Sequence, residues 1–487
     1  MDSASTDFLG STGVHGIMFE SSQLQNPVLL DVVFSDDCFA AEEYVAAIEA
    51  ACSKYDIDYM NRVTCIIGDN AAINDKIARL LALPRAKCIA HALNLVVKAI
   101  TSKFPGFVTL VTMMHGVIFA GGTKKRAKVL RSLGIDTTKL RCCETRWSST
   151  LEVCSYLLSP SVHDAAKTNF RVIREWLVAL RNHKIAKRTD ENSAVDKALE
   201  MEDIFFDHNG QQNIVDQKDG SVQFHDGDSD DNSSVPTAFH SAMIAECAEA
   251  ELMMVSSLTS RIPMLITMAC ATIRNVDPSF IEQLCDLGLF LRTSKKPAYS
   301  EHLVKECMER SEKSLVRGCE QIVVKKYSAM VISALHLGML KFQKHVDVAI
   351  GMLRRRFAFD PRNSPPEFIA PRGSMSMRDS IQGFFGCLPE EATHALIVEY
   401  AMYREAHVSM LMKQKEVSMS EFWNTMQKRF PMLSKVGLFW AEMPTSSVAM
   451  ERGFGVLRSM CTAQRMGMKE ETIKAELMFR INSWILR

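Results

Sequence analysis
The chain has 487 residues, 47% of them hydrophobic, and its 57 basic and 57 acidic side chains cancel to a net charge of zero. That length suits two to four domains with substantial cores, and the charge balance excludes a strongly basic DNA-coating protein while leaving DNA binding by a segregated patch open. The opening MDSASTDFLG lacks the basic and apolar regions of a secretory signal, and no apolar run approaches the roughly 20 residues of a membrane span, so a nuclear or cytosolic protein without a membrane partner is expected.

In chain order, residues 13–19 and 28–34 have strand character and are separated by a polar, Pro-containing turn, which predicts a hairpin. Residues 40–55 read as a helix with Tyr44, Ile48 and Ala51 on one face. The apolar run 63–67 reads as a short strand buried on both faces. Gly68 ends it and Asp69 follows at its carboxyl end, where α/β folds place their chemistry; Asp69 is equally suited to capping the next helix. That helix carries Ile73, Ile77, Leu80 and Leu81 on one face and is closed by Pro84. A second helix aligns Cys88, His91 and Leu95.

Residues 107–133 are helical and end in Lys124, Lys125, Arg126, Lys128 and Arg131, a solvated face or one that meets phosphates. Residues 140–143 suit a short strand, followed by Arg146 and Trp147; the indole either packs or stacks on a base. From 189 to 236 the text turns acidic and rich in Gly, Ser and Asn, which predicts a disordered linker. Residues 238–357 read as all-helical and include a second basic cluster, Arg354 to Arg356, expected with residues 124–131 to face DNA. A Pro-rich connector occupies 361–373. Pro444 to Ser447 form a helix-start signal ahead of Glu451. The last helix bears an apolar stripe of Ile473, Leu477, Ile481 and Trp484, fit for the protein's own core or for a second subunit. The 14 cysteines include no CxxC and fit reduced, buried thiols.

Three motifs then stand in order: GDNAAIN with Cys88 and His91, TRWSST around Trp147, and PTSSVAMERGF near the end. Together they resemble the hAT-superfamily transposases. The resemblance implies an α/β, RNase H-like mixed sheet interrupted by a large all-α insertion, mostly helical overall. It implies a first core part at 1–158, a helical segment with the acidic linker at 159–236, a helical insertion at 237–440 and a dimerisation segment at 441–487. The family's second acid falls on Asp69, its late glutamate on Glu451, and Asp2 is the candidate for its first. Three such carboxylates repel unless Mg²⁺ or Mn²⁺ lies between them. Cys88 and His91 have no second ligand pair at standard spacing, so zinc is not expected. The resemblance places the family's base-stabilising Trp on Trp147 and the dimerisation region on the segment that carries Ile473, Leu477, Ile481 and Trp484; with Trp147, Arg146, His91 and the basic Lys124, Lys125 and Arg126 are the DNA contacts expected. DNA and a second copy of the chain are the partners implied, in the nucleus. The sequence departs from the family at its start, where no Trp follows Asp2 and no strand precedes it, and at Gly455, where the family has Ser. An N-terminally truncated, catalytically impaired relative that dimerises and binds DNA is therefore expected, with an active metal-dependent transposase as the alternative.

Overall fold
The computed structural model describes residues 3–5, 13–21, 24, 26–35, 40–63, 65–69, 71–111, 124–140, 149–179, 247–270, 279–311, 320–362, 393–411, 417–460 and 469–486. The first stretch gives β1 (Ser3–Ser5), β2 (Gly13–Phe19), β3 (Val28–Ser35), α1 (Ala41–Lys54), α2 (Tyr59–Arg62), β4 (Ile66–Gly68), α3 (Ala72–Leu80), β5 (Arg85–Lys87) and α4 (Ile89–Thr101). Then come α5 (105–111), α6 (Lys124–Ser132), a 3-10 turn (Thr137–Leu140), α7 (Ser149–Leu158) and α8 (169–179). The remainder is α9 (Ala248–Thr259), α10 (Ile262–Ala269), α11 (Ser279–Thr293), α12 (Pro297–Arg310), α13 (Glu320–Lys341), a π turn (Phe342–Val346) and α14 (Asp347–Ala358). It closes with α15 (Thr393–Leu411), α16 (Met419–Met426), α17 (Pro431–Ala441), α18 (Val448–Met460) and α19 (Glu470–Asn482). The protein is mostly helical, with two small sheets among the described residues.

The chain divides into two compact units, one of Met1–Val97, Arg261–Thr293 and His336–Arg487, the other of Lys98–Ser260 and Ser294–Leu335. In the first unit β1, β2 and β3 form an antiparallel sheet in that order. The hairpin expected at 13–19 and 28–34 is present, with a bulge opposite Ile17 and Met18 that leaves Leu30 without a cross-strand partner. Leu30 and Ile17 pack with Ile48, Cys52 and Ile77 of α1 and α3. Leu29 and Val32 pack instead with Met450, Phe454 and Leu457 of α18 and with Ile473 and Leu477 of α19. The hairpin thus has helices on both faces. At Gly16 the end of the Met450 side chain occupies the space a Cβ would fill, so a larger residue there would have to displace it.

The strand expected at 63–67 is displaced to Ile66–Gly68 and pairs in parallel with β5. Ala86 of β5 and Ile67 of β4 abut an aromatic cluster of Phe359, Tyr403, Phe422, Trp423 and Trp440. Trp423 donates its indole N–H to the Phe359 carbonyl at 2.8 Å, so its burial leaves no unpaired indole N–H. On α3, Ile77 and Leu81 are buried as expected but Leu80 is exposed, one step off the apolar face.

Among its described residues the second unit holds helices and one isolated antiparallel bridge, Pro160 to Thr168. Two carboxylates of α9 organise it. Glu249 is buried and accepts Arg171 Nε through both oxygens at 2.9 and 3.0 Å, together with the Thr168 hydroxyl at 3.0 Å. Glu251, also buried, accepts the Tyr327 hydroxyl at 2.9 Å and the Phe107 amide at 3.2 Å. Burial pushes the Glu251 carboxyl above the usual carboxylate range, against those two hydrogen bonds. Leu140 lies in a 3-10 turn rather than starting a strand, while 141–148 lie outside the described residues. The linker expected at 189–236 and most of the connector at 361–373 also lie outside them. The continuous helix Glu320–Ala358 has the length and apolar content that would suit a membrane span, although its sequence shows no long uninterrupted apolar run; its Val331, Leu335 and Met339 are buried in protein.

Candidate functional site
Asp69 follows β4 directly. Its Oδ1 accepts the Ala71 amide at 2.9 Å and the Asn74 side-chain amide at 2.8 Å, while its carbonyl accepts Arg85. The carboxylate thus forms an Asx turn two residues ahead of α3; the N-cap of that helix is Ala71, without a side-chain cap, so the turn stands in place of the capping expected of Asp69. Both of the carboxylate's hydrogen bonds to described residues fall on Oδ1, so Oδ2 is not committed to the turn. Arg85 also forms an ion pair with Asp75, which holds the turn against the neighbouring strand.

Beside Asp69, the main chain of the first unit closes on itself. The Cys88 amide donates to the Gly68 carbonyl at 3.2 Å, and the Ile89 amide donates to the Thr445 carbonyl at 3.0 Å. The Cys88 sulfur is fully buried and accepts the amides of His91 and Ser447, each at 3.4 Å. The Thr445 hydroxyl in turn donates to the Ala269 carbonyl at 3.0 Å. Buried Arg356 donates to the carbonyls of Trp440 (3.2 Å) and Met443. These bonds fix the segment 443–447, and Ser447 immediately precedes α18. Glu451 lies in the first turn of that helix, so the backbone bearing it starts from the same end of β4–β5 as Asp69.

Asp2, Arg146 and Trp147 lie outside the described residues, as do the side chains of Glu451, Lys124, Lys125 and Arg126. Lys124 to Arg126 open α6, on which Lys128 and Arg131 are exposed. His91 is half-buried in the first turn of α4. Arg356 corrects the expectation of a DNA-facing Arg354–Arg356 run, because its guanidinium is enclosed and serves as a clamp on carbonyls. Among the described residues no group of three or more His, Cys, Asp or Glu is arranged to hold a metal ion.

A cavity of about 550 Å³ adjoins this region, lined by Gly16, Met18, Cys65, Ile67, Ser447 and Met450 among others.

The C-terminal stripe also needs correction. Ile473 and Leu477 are almost wholly buried against β3 of the same chain, and Ile481 packs with them. Asn482 completes the seam, its amide donating to the Leu29 carbonyl and accepting the Leu29 amide, both at 2.9 Å. Lys474 pairs with Asp31 at 2.5 Å on the rim. Ile473 and Leu477 are therefore core, because a strand with helices on both faces needs that apolar cover, while Trp484 is half-buried beyond the end of the helix.

Residues 399–485 match the family model described as the hAT family C-terminal dimerisation region. The chain is related to the hAT-superfamily transposases. No curated protein matches it. The hAT dimerisation region thus takes in most of α15, all of α16 to α19, and both seams just described: the 443–447 segment beside Asp69 and the α19 cover on β3.

Sequence reasoning missed β5 and its register with β4. Its text, Arg85-Ala86-Lys87, offers one buried alanine between two cations, a period-two signal too short to stand out from a loop.

Proposed function
We propose that this hAT transposase relative is a dimeric, DNA-binding nuclear protein with a divalent-cation site at the Asp69 end of an RNase H-like core. The observation that supports it is the tie from Gly68 through Cys88 to Ser447, which joins the strand preceding Asp69 to the helix bearing Glu451. Carboxylate oxygens are hard donors that suit Mg²⁺ or Mn²⁺. Asp69, Glu451 and Asp2 would hold the ion, which when bound activates an attacking oxygen and stabilises the leaving one in phosphodiester chemistry. Asp69 fits that use, since both hydrogen bonds its carboxylate makes to described residues fall on Oδ1.

DNA binding is assigned to α6 and to the neighbourhood of Trp147, Arg146 and His91. For dimerisation, the outer face of α19 replaces the stripe. Phe479 is 64% exposed, and Ala475, also exposed, lies one turn before it. A two-fold antiparallel contact between copies would set each Phe479 over the other's Ala475, a large side chain in a small-residue gap, made twice.

The direct test is labelled duplex DNA titrated at increasing salt, with light scattering on the same samples. Binding that weakens steeply with salt, through a dimer, is expected; charge reversal at Lys124, Lys125 and Arg126 should flatten the dependence. Absence of binding at low salt would remove the DNA assignment. Active metal-dependent cleavage is the second reading, favoured by the joined acid-bearing segments. Mn²⁺-dependent nicking lost in Asp69→Asn would establish it, and binding without nicking would favour the non-catalytic form.

A further inference from the structure
The cavity of about 550 Å³ in the first unit is walled largely by three stretches distant in sequence. Gly16 to Ser21 come from β2 and its exit, Cys65 to Ile67 from β4 and its approach, and Leu438 to Met450 from the α17–α18 junction. Protein interiors hold few voids larger than a water molecule, because atoms that line a gap lose their packing partners. This volume lies instead in the range of pockets that enclose a small molecule, roughly 300–1,000 Å³, with mainly apolar walls and a few polar groups. The walls here have that composition. Ile17, Met18, Phe19 and Met450 are among the apolar side chains, and Ser21 and Ser446 bring hydroxyls.

The charge on the lining has one sign. Among the described residues that line the cavity, the charged side chains are Glu20 and Glu442, with no Lys, Arg or His beside them. Both carboxylates are half-buried, one at the exit of β2 and the other at the end of α17. They reach the cavity from different elements, yet both bear on the Cys65 thiol, which is part of the wall. Burial, then Glu20 and Glu442, push that thiol up to about 12, while Arg356 acts the other way from outside the lining. The thiol is therefore protonated at neutral pH and adds no charge. Apolar walls lower the local dielectric and strengthen the pull of the two carboxylates on a cation. An anion would be repelled, and a neutral guest would leave that attraction unused.

We propose that this cavity binds a small apolar molecule bearing one cationic nitrogen, an alkyl- or arylammonium, with its hydrocarbon body among the apolar walls and its nitrogen toward Glu20 and Glu442. The N–H donors of such a nitrogen suit carboxylate and hydroxyl oxygens. A hard divalent cation is a poorer guest, since it needs a shell of several oxygen ligands that mainly apolar walls do not supply.

The test titrates the full chain by calorimetry with three probes of one shape: adamantylammonium, adamantanol and adamantane carboxylate. The ammonium should bind the wild type at least about tenfold more tightly than the alcohol, given the strength of charge attraction near apolar walls, and the carboxylate should bind least. In Glu20→Gln/Glu442→Gln the ammonium should weaken to the level of the alcohol, with the alcohol itself unchanged. Val63→Phe places a ring in the cavity, whose wall includes Val63, and should weaken ammonium and alcohol alike. Thermal melts check the fold of each variant, and Glu20→Gln and Glu442→Gln singly replace the double variant if it unfolds. Absence of binding by all three probes, or equal binding of ammonium and alcohol to the wild type, would overturn the proposal without any variant. An ammonium affinity unchanged in the folded glutamine variants, or in Val63→Phe, would place its binding elsewhere and overturn it too.

Discussion

In the first unit, segments far apart in sequence are joined by main-chain amides, a thiol and a carboxamide: Ile89 to Thr445, Cys88 to Ser447, and Asn482 to Leu29. In the second unit the corresponding work falls to buried carboxylates, Glu249 on Arg171 and Glu251 on Tyr327 and Phe107. Neutral ties hold at any ordinary pH and fail when packing is lost. Carboxylate ties are stronger where paired, costly where orphaned, and open to titration. The helical unit is therefore expected to respond to pH through Glu251, whereas the three joints just named in the first unit hold no carboxylate.

The largest effect should come from orphaning a charge. Arg171→Met leaves Glu249 buried without its cation and should destabilise the second unit by about 3–5 kcal/mol, read as early loss of amide protection in α9 by hydrogen exchange. Adding Glu249→Leu should restore much of the loss, whereas it would deepen if the pair were merely packing. In the first unit, Leu477→Ala removes a buried side chain from the β3 seam at a cost of about 2–5 kcal/mol, seen in denaturant melts and in exchange at β3. If Leu477 were a subunit contact instead, the variant would keep its stability and lose its dimer. Asn482→Leu should cost less, about 1–3 kcal/mol, since it orphans the Leu29 amide and carbonyl but keeps the volume.

The smallest effect is the one that separates the units by pH. Glu251 has a folded pKa above its unfolded value, so its contribution to stability is full below the unfolded pKa and is lost as pH rises through the folded one. Exchange in the second unit should quicken across that rise, and Glu251→Gln should flatten the change. If Glu251→Gln leaves the change in the second unit unaltered, Glu251 is not its source.

The hairpin was legible because two β-branched runs flank a turn, and α1 because Ile48 and Ala51 recur at helical spacing. The C-terminal stripe was legible as apolar, but not its partner: Leu29 and Val32 lie more than 400 residues earlier, and no local pattern names which surface an apolar helix covers. The motif residues Asp69, Cys88 and Ser447 were each visible, yet their junction depends on β5, whose two cations hide it, and on a sulfur accepting two amides.

The central claim is that the strand before Asp69 and the helix bearing Glu451 share one end of the first unit and together hold a divalent cation. Thermal melts of the full chain with and without Mn²⁺, for the wild type, Asp69→Asn and Glu451→Gln, test it most directly. A ligand that binds only the folded state raises its stability, so Mn²⁺ should raise the wild-type transition, and each single substitution should abolish the rise without moving the metal-free transition by more than about 1 kcal/mol. Equal stabilisation of all three proteins, or loss of the rise in only one variant, would contradict a shared site.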